Sequence, residues 1–129
     1  MAWRDHSNMI VRTKISDNFY WDEFECKCGC GMDSINLELV DKIQKVRDEY
    51  GPIRISSGCR CQKWNKKEGG NPESSHLKGL ALDVVCNNSS DRYRLLTKLT
   101  WDFRRIGVHK SFIHVDIDPN KTDELLWVY

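Results

Sequence analysis

The chain carries almost no net charge: 20 Lys and Arg stand against 19 Asp and Glu, leaving a formal +1. Without a basic stripe there is no electrostatic footing for nucleic acid, whose binders present a clearly positive face. No apolar run approaches the roughly 20 residues of a membrane-spanning helix. Residues 1–9 lack the apolar core of a secretory signal. That predicts a protein made and kept in a cytoplasm, or released by a route the sequence does not encode. Internal repeats and low-complexity segments are missing too. Cysteine is not scarce: there are six. A secreted protein would pair them, whereas without a signal free thiols or metal ligands are at least as reasonable.

At 129 residues, 40% hydrophobic and 30% charged, the composition is that of one globular domain. Residues 1–14 are polar and aperiodic and predict an N-terminal arm or an edge strand; residues 15–129 predict the folded domain. Phe19, Tyr20, Trp21 and Phe24 favour a short docked helix. Leu39, Val40, Ile43, Val46 and Tyr50 recur at helical spacing, with Asn36 as a cap and Gly51-Pro52 as a stop. Residues 53–56 and 80–85 predict strands, separated by a long polar loop over 58–75. A second amphipathic helix opens at Ser89 or Ser90, carries Leu96, Leu99, Phe103 and Ile106 on one face, and ends at Gly107. Residues 112–118 alternate strictly. Ile113, Val115 and Ile117 point one way, and Phe112, His114, Asp116 and Asp118 the other. Residues 124–129 predict a last strand. This order implies an α+β fold with a small antiparallel sheet flanked by helices.

The chemistry concentrates in Ser74-Ser75-His76-Leu77-Lys78-Gly79-Leu80-Ala81-Leu82-Asp83 and, about thirty residues on, His114-Val115-Asp116. Asp83 interrupts an apolar strand, where a carboxylate is costly to bury unless paired or metal-bound; the alternative is a strand-end Asp facing solvent. His76 lies on a loop that can fold back against that strand, and His114 comes from a separate one. Two imidazoles and a carboxylate are the ligand mixture of catalytic zinc sites, which keep a fourth position for water. Asp116 shares a strand face with His114, spaced for acid–base work or for orienting the imidazole.

Ser74-x-His76-x-x-Gly79-x-Ala81-x-Asp83 with His114-Val115-Asp116 closely resembles the zinc signature of the M15 peptidases. That family includes D-alanyl-D-alanine carboxypeptidases and L-alanyl-D-glutamate endopeptidases of peptidoglycan stem peptides, and the hedgehog signalling domain is a non-peptidase relative. The likeness extends to Phe24-Glu25-Cys26 and Ile55-Ser56-Ser57-Gly58-Cys59-Arg60, covers about residues 15–118, and in its compact Trp-x-Tyr ending looks most like phage-encoded members. It implies a hedgehog/D-Ala-D-Ala-peptidase-like fold and a zinc ion held by His76, Asp83 and His114. It also implies an Arg60 that binds a substrate carboxylate or the oxyanion, and a Ser74 that orients ligand or substrate. The implied substrate is bacterial peptidoglycan peptide, with endopeptidase action preferred to carboxypeptidase, by a monomer that reaches the wall after release from the cell that made it. Many members carry a catalytic carboxylate shortly before the second zinc histidine. Residues 108–113 here contain none, which leaves Asp116 as the first candidate base and His109 as the second. A non-catalytic zinc module that docks wall peptide or a protein partner is the alternative.

Cys26-x-Cys28-x-Cys30 and Cys59-x-Cys61 leave two readings open: a second, structural zinc, or reduced thiols, some of them buried. Cys86 ends an apolar run and reads as core.

Overall fold

Asn36 starts the first long helix, α1 (Leu37–Tyr50), by accepting the backbone N–H groups of Glu38 and Leu39 on its side chain. Such a cap is worth about 1 kcal/mol. In this computed structural model, which describes residues 2–4 and 10–129, α1 buries Leu39, Val40, Ile43 and Val46, the stripe that the sequence spacing predicts. A second helix, α3 (Ser89–Asp102), packs against α1. A short one, α2 (Gln62–Lys67), lies between them in the chain.

The main sheet has five strands: β3 (Ile55–Ser57), β4 (Ala81–Val85), β5 (Arg105–Val108), β6 (Phe112–Asp116) and β7 (Leu125–Val128). Their order in space is β3-β4-β6-β5-β7. All neighbours are antiparallel except β5 and β7, which run parallel. Strand alternation divides the work between two faces. Leu82, Val84, Ile113 and Val115 join the core beneath α1 and α3, where full burial of such a side chain is worth ~1.5–3 kcal/mol. Asp83, His114 and Asp116 therefore lie on the opposite face, with Asp83 and His114 as direct cross-strand partners.

Several local expectations are corrected. The polar stretch 58–75 is not one loop. Cys61 caps α2 by accepting the Trp64 N–H on sulfur, and Asn65 of this helix is buried. The helix α3 opens at Ser89 as predicted, with Asn88 as its cap, but it stops at Asp102, with Phe103 already extended. Phe103 and Ile106 therefore belong to the core from outside the helix, and Gly107 lies within β5 and does not end a helix. The predicted aromatic helix is a single 3-10 turn, Trp21–Glu23. Ahead of it, β1 (Ala2–Arg4) and β2 (Ile10–Arg12) pair as an antiparallel hairpin separate from the main sheet. The rest of the predicted arm, residues 1 and 5–9, lies outside the described residues.

Candidate metal centre

His76 reaches the sheet from a 3-10 turn, Ser75–Lys78, capped by Ser74, whose hydroxyl accepts the His76 N–H. Gly79 ends the turn in the left-handed region at φ 69°, and a Cβ there would overlap the Ser34 carbonyl oxygen. Only glycine satisfies both demands at once. The turn is pinned from the other side by the Arg60 N–H, which donates to the His76 carbonyl at 3.1 Å.

Asp83 Oδ1 lies 3.2 Å from His76 Nε2 and 3.0 Å from His114 Nδ1. The outer nitrogens of both rings are committed. His76 Nδ1 faces the Gly58 carbonyl at 2.7 Å, and His114 Nε2 faces Asp116 Oδ2 at 2.7 Å. A carbonyl and a carboxylate only accept, so these outer nitrogens carry the protons. In the neutral rings the inner nitrogens are then lone pairs, aimed at a carboxylate oxygen that is also an acceptor. Three acceptors converging within 4.8 Å of one another suit a shared cation. A carbonyl or carboxylate behind each ligating imidazole is the usual support of a metal site. His76, Asp83 and His114 thus fit a zinc ion.

Without a cation, protons on the inner nitrogens can take its place between the rings and Asp83. Burial works against ionised Asp83, but hydrogen bonds from His114 and His76 outweigh it and hold the carboxyl well below the ordinary carboxylate range. Burial likewise opposes the His114 imidazolium, while Asp116 and Asp83 more than reverse this and raise its pKa. Asp116 is lowered, its desolvation being offset by His114 and Arg105.

Two arginines complete the arrangement. Arg60 donates from Nη2 to Asp83 Oδ2 at 3.1 Å, from Nε to Ser57 and from Nη1 to Asn65. One Asp83 oxygen is thereby held by the guanidinium while the other faces the histidines. Arg105 donates to Asp116 Oδ1 at 2.7 Å and to the Thr122 carbonyl. Below them Asp118 is fully enclosed, accepting from Ser75 Oγ at 2.8 Å and Lys78 Nζ at 3.1 Å. The cleft above this floor measures about 420 Å³. Trp127 of β7 forms one wall, its ring 5.5 Å from that of His114, and it lies against Gly107, where a Cβ would collide with the indole.

The structure thus brings His76, Asp83, His114, Asp116, Arg60 and Ser74 around one cleft. It leaves His109 outside the lining: that ring stacks on Phe112 at 4.5 Å and bonds Ser111 in the turn after β5. Arg105, Glu68, Ser75 and Trp127 line the cleft as well, and sequence reasoning gave none of them a role there. The available signal was the run Arg105-Ile-Gly-Val, β-branched with a glycine, which argues for a strand and would have aimed Arg105 at the face of His114 and Asp116.

All six cysteines are free, but they do not act alike. Cys26, Cys28, Cys30 and Cys61 gather within 4.8 Å. Cys59, named with them from the sequence, is not part of the group. Its neighbour Cys61 turns to the cluster while Cys59 enters the hydrophobic core, where burial pushes its thiol up to about 11. Cys86 is buried in the core as predicted.

A search among curated proteins finds no match. The sequence pattern of the family described as Peptidase M15 matches residues 17–116, a span that contains every ligand of the centre and ends on Asp116. By that match, and with this centre in place, the chain belongs to the M15 peptidase family.

Proposed function

We propose that the protein is a zinc-dependent peptidase that cuts stem peptides of bacterial peptidoglycan, acting at the wall after release from the cell that makes it. The convergence of two imidazole lone pairs and the Asp83 carboxylate carries this reading. A zinc held by His76, Asp83 and His114 would supply a water that ionises near neutral pH and a Lewis acid for the scissile carbonyl.

The chain's own residues do the rest. Gly58 and Asp116 fix the two imidazoles, and Arg60 fixes Asp83. Three of the five Arg60 N–H donors are committed to protein, and the two that remain suit a substrate carboxylate or carbonyl oxygen. Ser74 retains its hydroxyl proton for a substrate acceptor. Asp116 serves by positioning His114, because both of its oxygens are occupied. Glu68 lines the cleft and, among the described residues, is the lining carboxylate with no side-chain partner, so it is the group available to take a proton from water. His109 stands one ring away, behind Phe112.

Digestion of purified peptidoglycan by zinc-loaded protein, followed by mass spectrometry of the products, tests this. New peptide termini are expected, and they vanish in a chelated sample and in Asp83→Asn. Their chemistry names the bond and separates endopeptidase from carboxypeptidase action. The commitment of Asp116 favours one competing reading, a zinc module that binds wall peptide without cutting it. Peptide binding with no products from a zinc-loaded chain would decide for that reading.

A further inference from the structure

We infer that Cys26, Cys28, Cys30 and Cys61 form a second metal site, a closed four-thiolate cage for zinc that staples the segment ahead of α1 to the start of α2. It shares no residue with the His76, Asp83 and His114 centre. Four sulfurs bound tetrahedrally at ~2.3 Å from one zinc ion lie about 3.8 Å apart. Here Cys26 and Cys28 are 3.4 Å apart and Cys28 and Cys61 3.7 Å, and all four sulfurs lie within 4.8 Å of one another. A disulfide needs about 2.05 Å and joins sulfurs two at a time, so it would leave this four-way clustering without a purpose.

Two of the four sulfurs are met by backbone donors. The Cys61 N–H points at Cys26 Sγ and the Trp64 N–H at Cys61 Sγ, each at 3.4 Å. Backbone donors of this kind stabilise negative sulfur and orient the ligands. The chain is already folded back for the purpose, since the Cys26 N–H bonds the Met32 carbonyl at 2.7 Å and closes the loop that carries three of the ligands. Cys26 is buried, Cys61 half-buried, and Cys28 and Cys30 exposed, which gives an ion an open side to enter by. Four soft ligands and no vacant position describe a structural site, not a catalytic one. On binding, each thiol gives up its proton to solvent and its sulfur lone pair to the ion.

The position gives the staple a purpose. Cys61 follows Arg60, whose guanidinium holds Asp83, and Cys61 also caps α2, whose Asn65 accepts from that same guanidinium. Fixing Cys61 to the 26–30 loop therefore sets the backbone from which the cleft arginine projects.

The test is metal stoichiometry on the full chain, reduced, loaded with zinc and exchanged into metal-free buffer. Two zinc equivalents per chain are expected in the wild type. One is expected in His76→Ala/His114→Ala, and one in Cys28→Ser/Cys61→Ser. Cobalt loading of the wild type and of the histidine variant needs no cysteine change: thiolate-to-cobalt charge-transfer bands are expected in both. A wild-type metal content that the cysteine substitutions leave unchanged, or cobalt spectra without thiolate bands, would each overturn the inference; a single equivalent lost with the cysteines would keep it and count against the histidine centre instead.

Discussion

Asp116→Asn separates a residue that positions a ligand from one that acts as a base. Asp116 Oδ1 accepts from Arg105 Nε at 2.7 Å and from the Asp118 N–H at 3.2 Å, while Oδ2 accepts from His114 Nε2 at 2.7 Å. An asparagine has one oxygen and one NH2 for these two sides. With its NH2 toward Arg105 it would set donor against donor twice, once against a permanent cation. The amide therefore turns its oxygen to Arg105 and donates to His114 Nε2. That drives the imidazole proton to Nδ1, the atom 3.0 Å from Asp83 Oδ1, and the ligand lone pair is lost. Loss of such an outer partner costs 10–100-fold in metal affinity, about 1.4–2.7 kcal/mol, and a reversed tautomer belongs at the upper end. Chelator competition measures this, read through the fluorescence of Trp127 beside His114. Arg105→Met in the same background frees the amide to turn round, so the double variant is expected to recover affinity over Asp116→Asn alone. Wild-type zinc affinity in Asp116→Asn, with turnover abolished, would refute the positioning argument and make Asp116 the base. Strict additivity with Arg105→Met would refute the tautomer mechanism.

Four further outcomes are expected. Glu68→Gln lowers kcat on peptidoglycan fragments by at least ~10²-fold with zinc content unchanged; full activity would exclude it as the base. Gly107→Ala displaces the Trp127 indole, costing ~1–3 kcal/mol in denaturant unfolding and removing the zinc-dependent fluorescence change. Asp118 is lowered because bonds from Ser75, the Asn120 N–H and Lys78 outweigh its burial. Its contribution is therefore present above the unfolded value of about 3.9 and is lost as pH falls through the folded one. Asp118→Asn should flatten the acid limb of the stability curve while lowering stability at pH 7 by ~1.5–3 kcal/mol. Raising salt from 20 to 300 mM (about 20 Å to under 6 Å of screening length) should raise KM for anionic stem peptides and leave KM for their neutral amides unchanged.

The readable parts of the sequence are those in which a single period carries the signal. In α1 the apolar stripe, the Asn36 cap and the Gly51 stop agree. In β6 strict alternation sends Ile113 and Val115 to the core and His114 and Asp116 to the cleft. The α3–β5 boundary fails for a specific reason. Phe103 and Ile106 follow Leu99 at helical steps of four and three residues, so the helical period runs on past the true end at Asp102, where the chain becomes extended. With β5 hidden, so were Arg105 and its ion pair with Asp116. The parallel pairing of β5 with β7, which brings Trp127 over Gly107 and onto His114, joins segments about twenty residues apart and has no local trace. The cysteines divide in a similar way. The x1 spacing of Cys59 and Cys61 does not say which one turns outward; only the placement of Phe24, whose carbonyl takes the Cys59 N–H, decides that.

The charges beneath the cleft explain why so polar a face is tolerated and what it is set up to hold. Each buried carboxylate has its own cation: Arg60 for Asp83 at 3.1 Å, Arg105 for Asp116 at 2.7 Å, and Lys78 for Asp118 at 3.1 Å. Unpaired, any of them would cost several kcal/mol; paired, the floor is neutral while the two imidazoles are neutral. A divalent ion held by His76, Asp83 and His114 would then not be cancelled by the residues around it, and the centre would carry a net positive charge. That charge would favour ionisation of a water and would attract anionic groups on a peptide. Had the three carboxylates been unpartnered, they would have neutralised the ion and repelled such a substrate. The arginines thus do more than hold carboxylates in place: by neutralising the floor they would leave the charge of a bound metal to be felt by what enters the cleft.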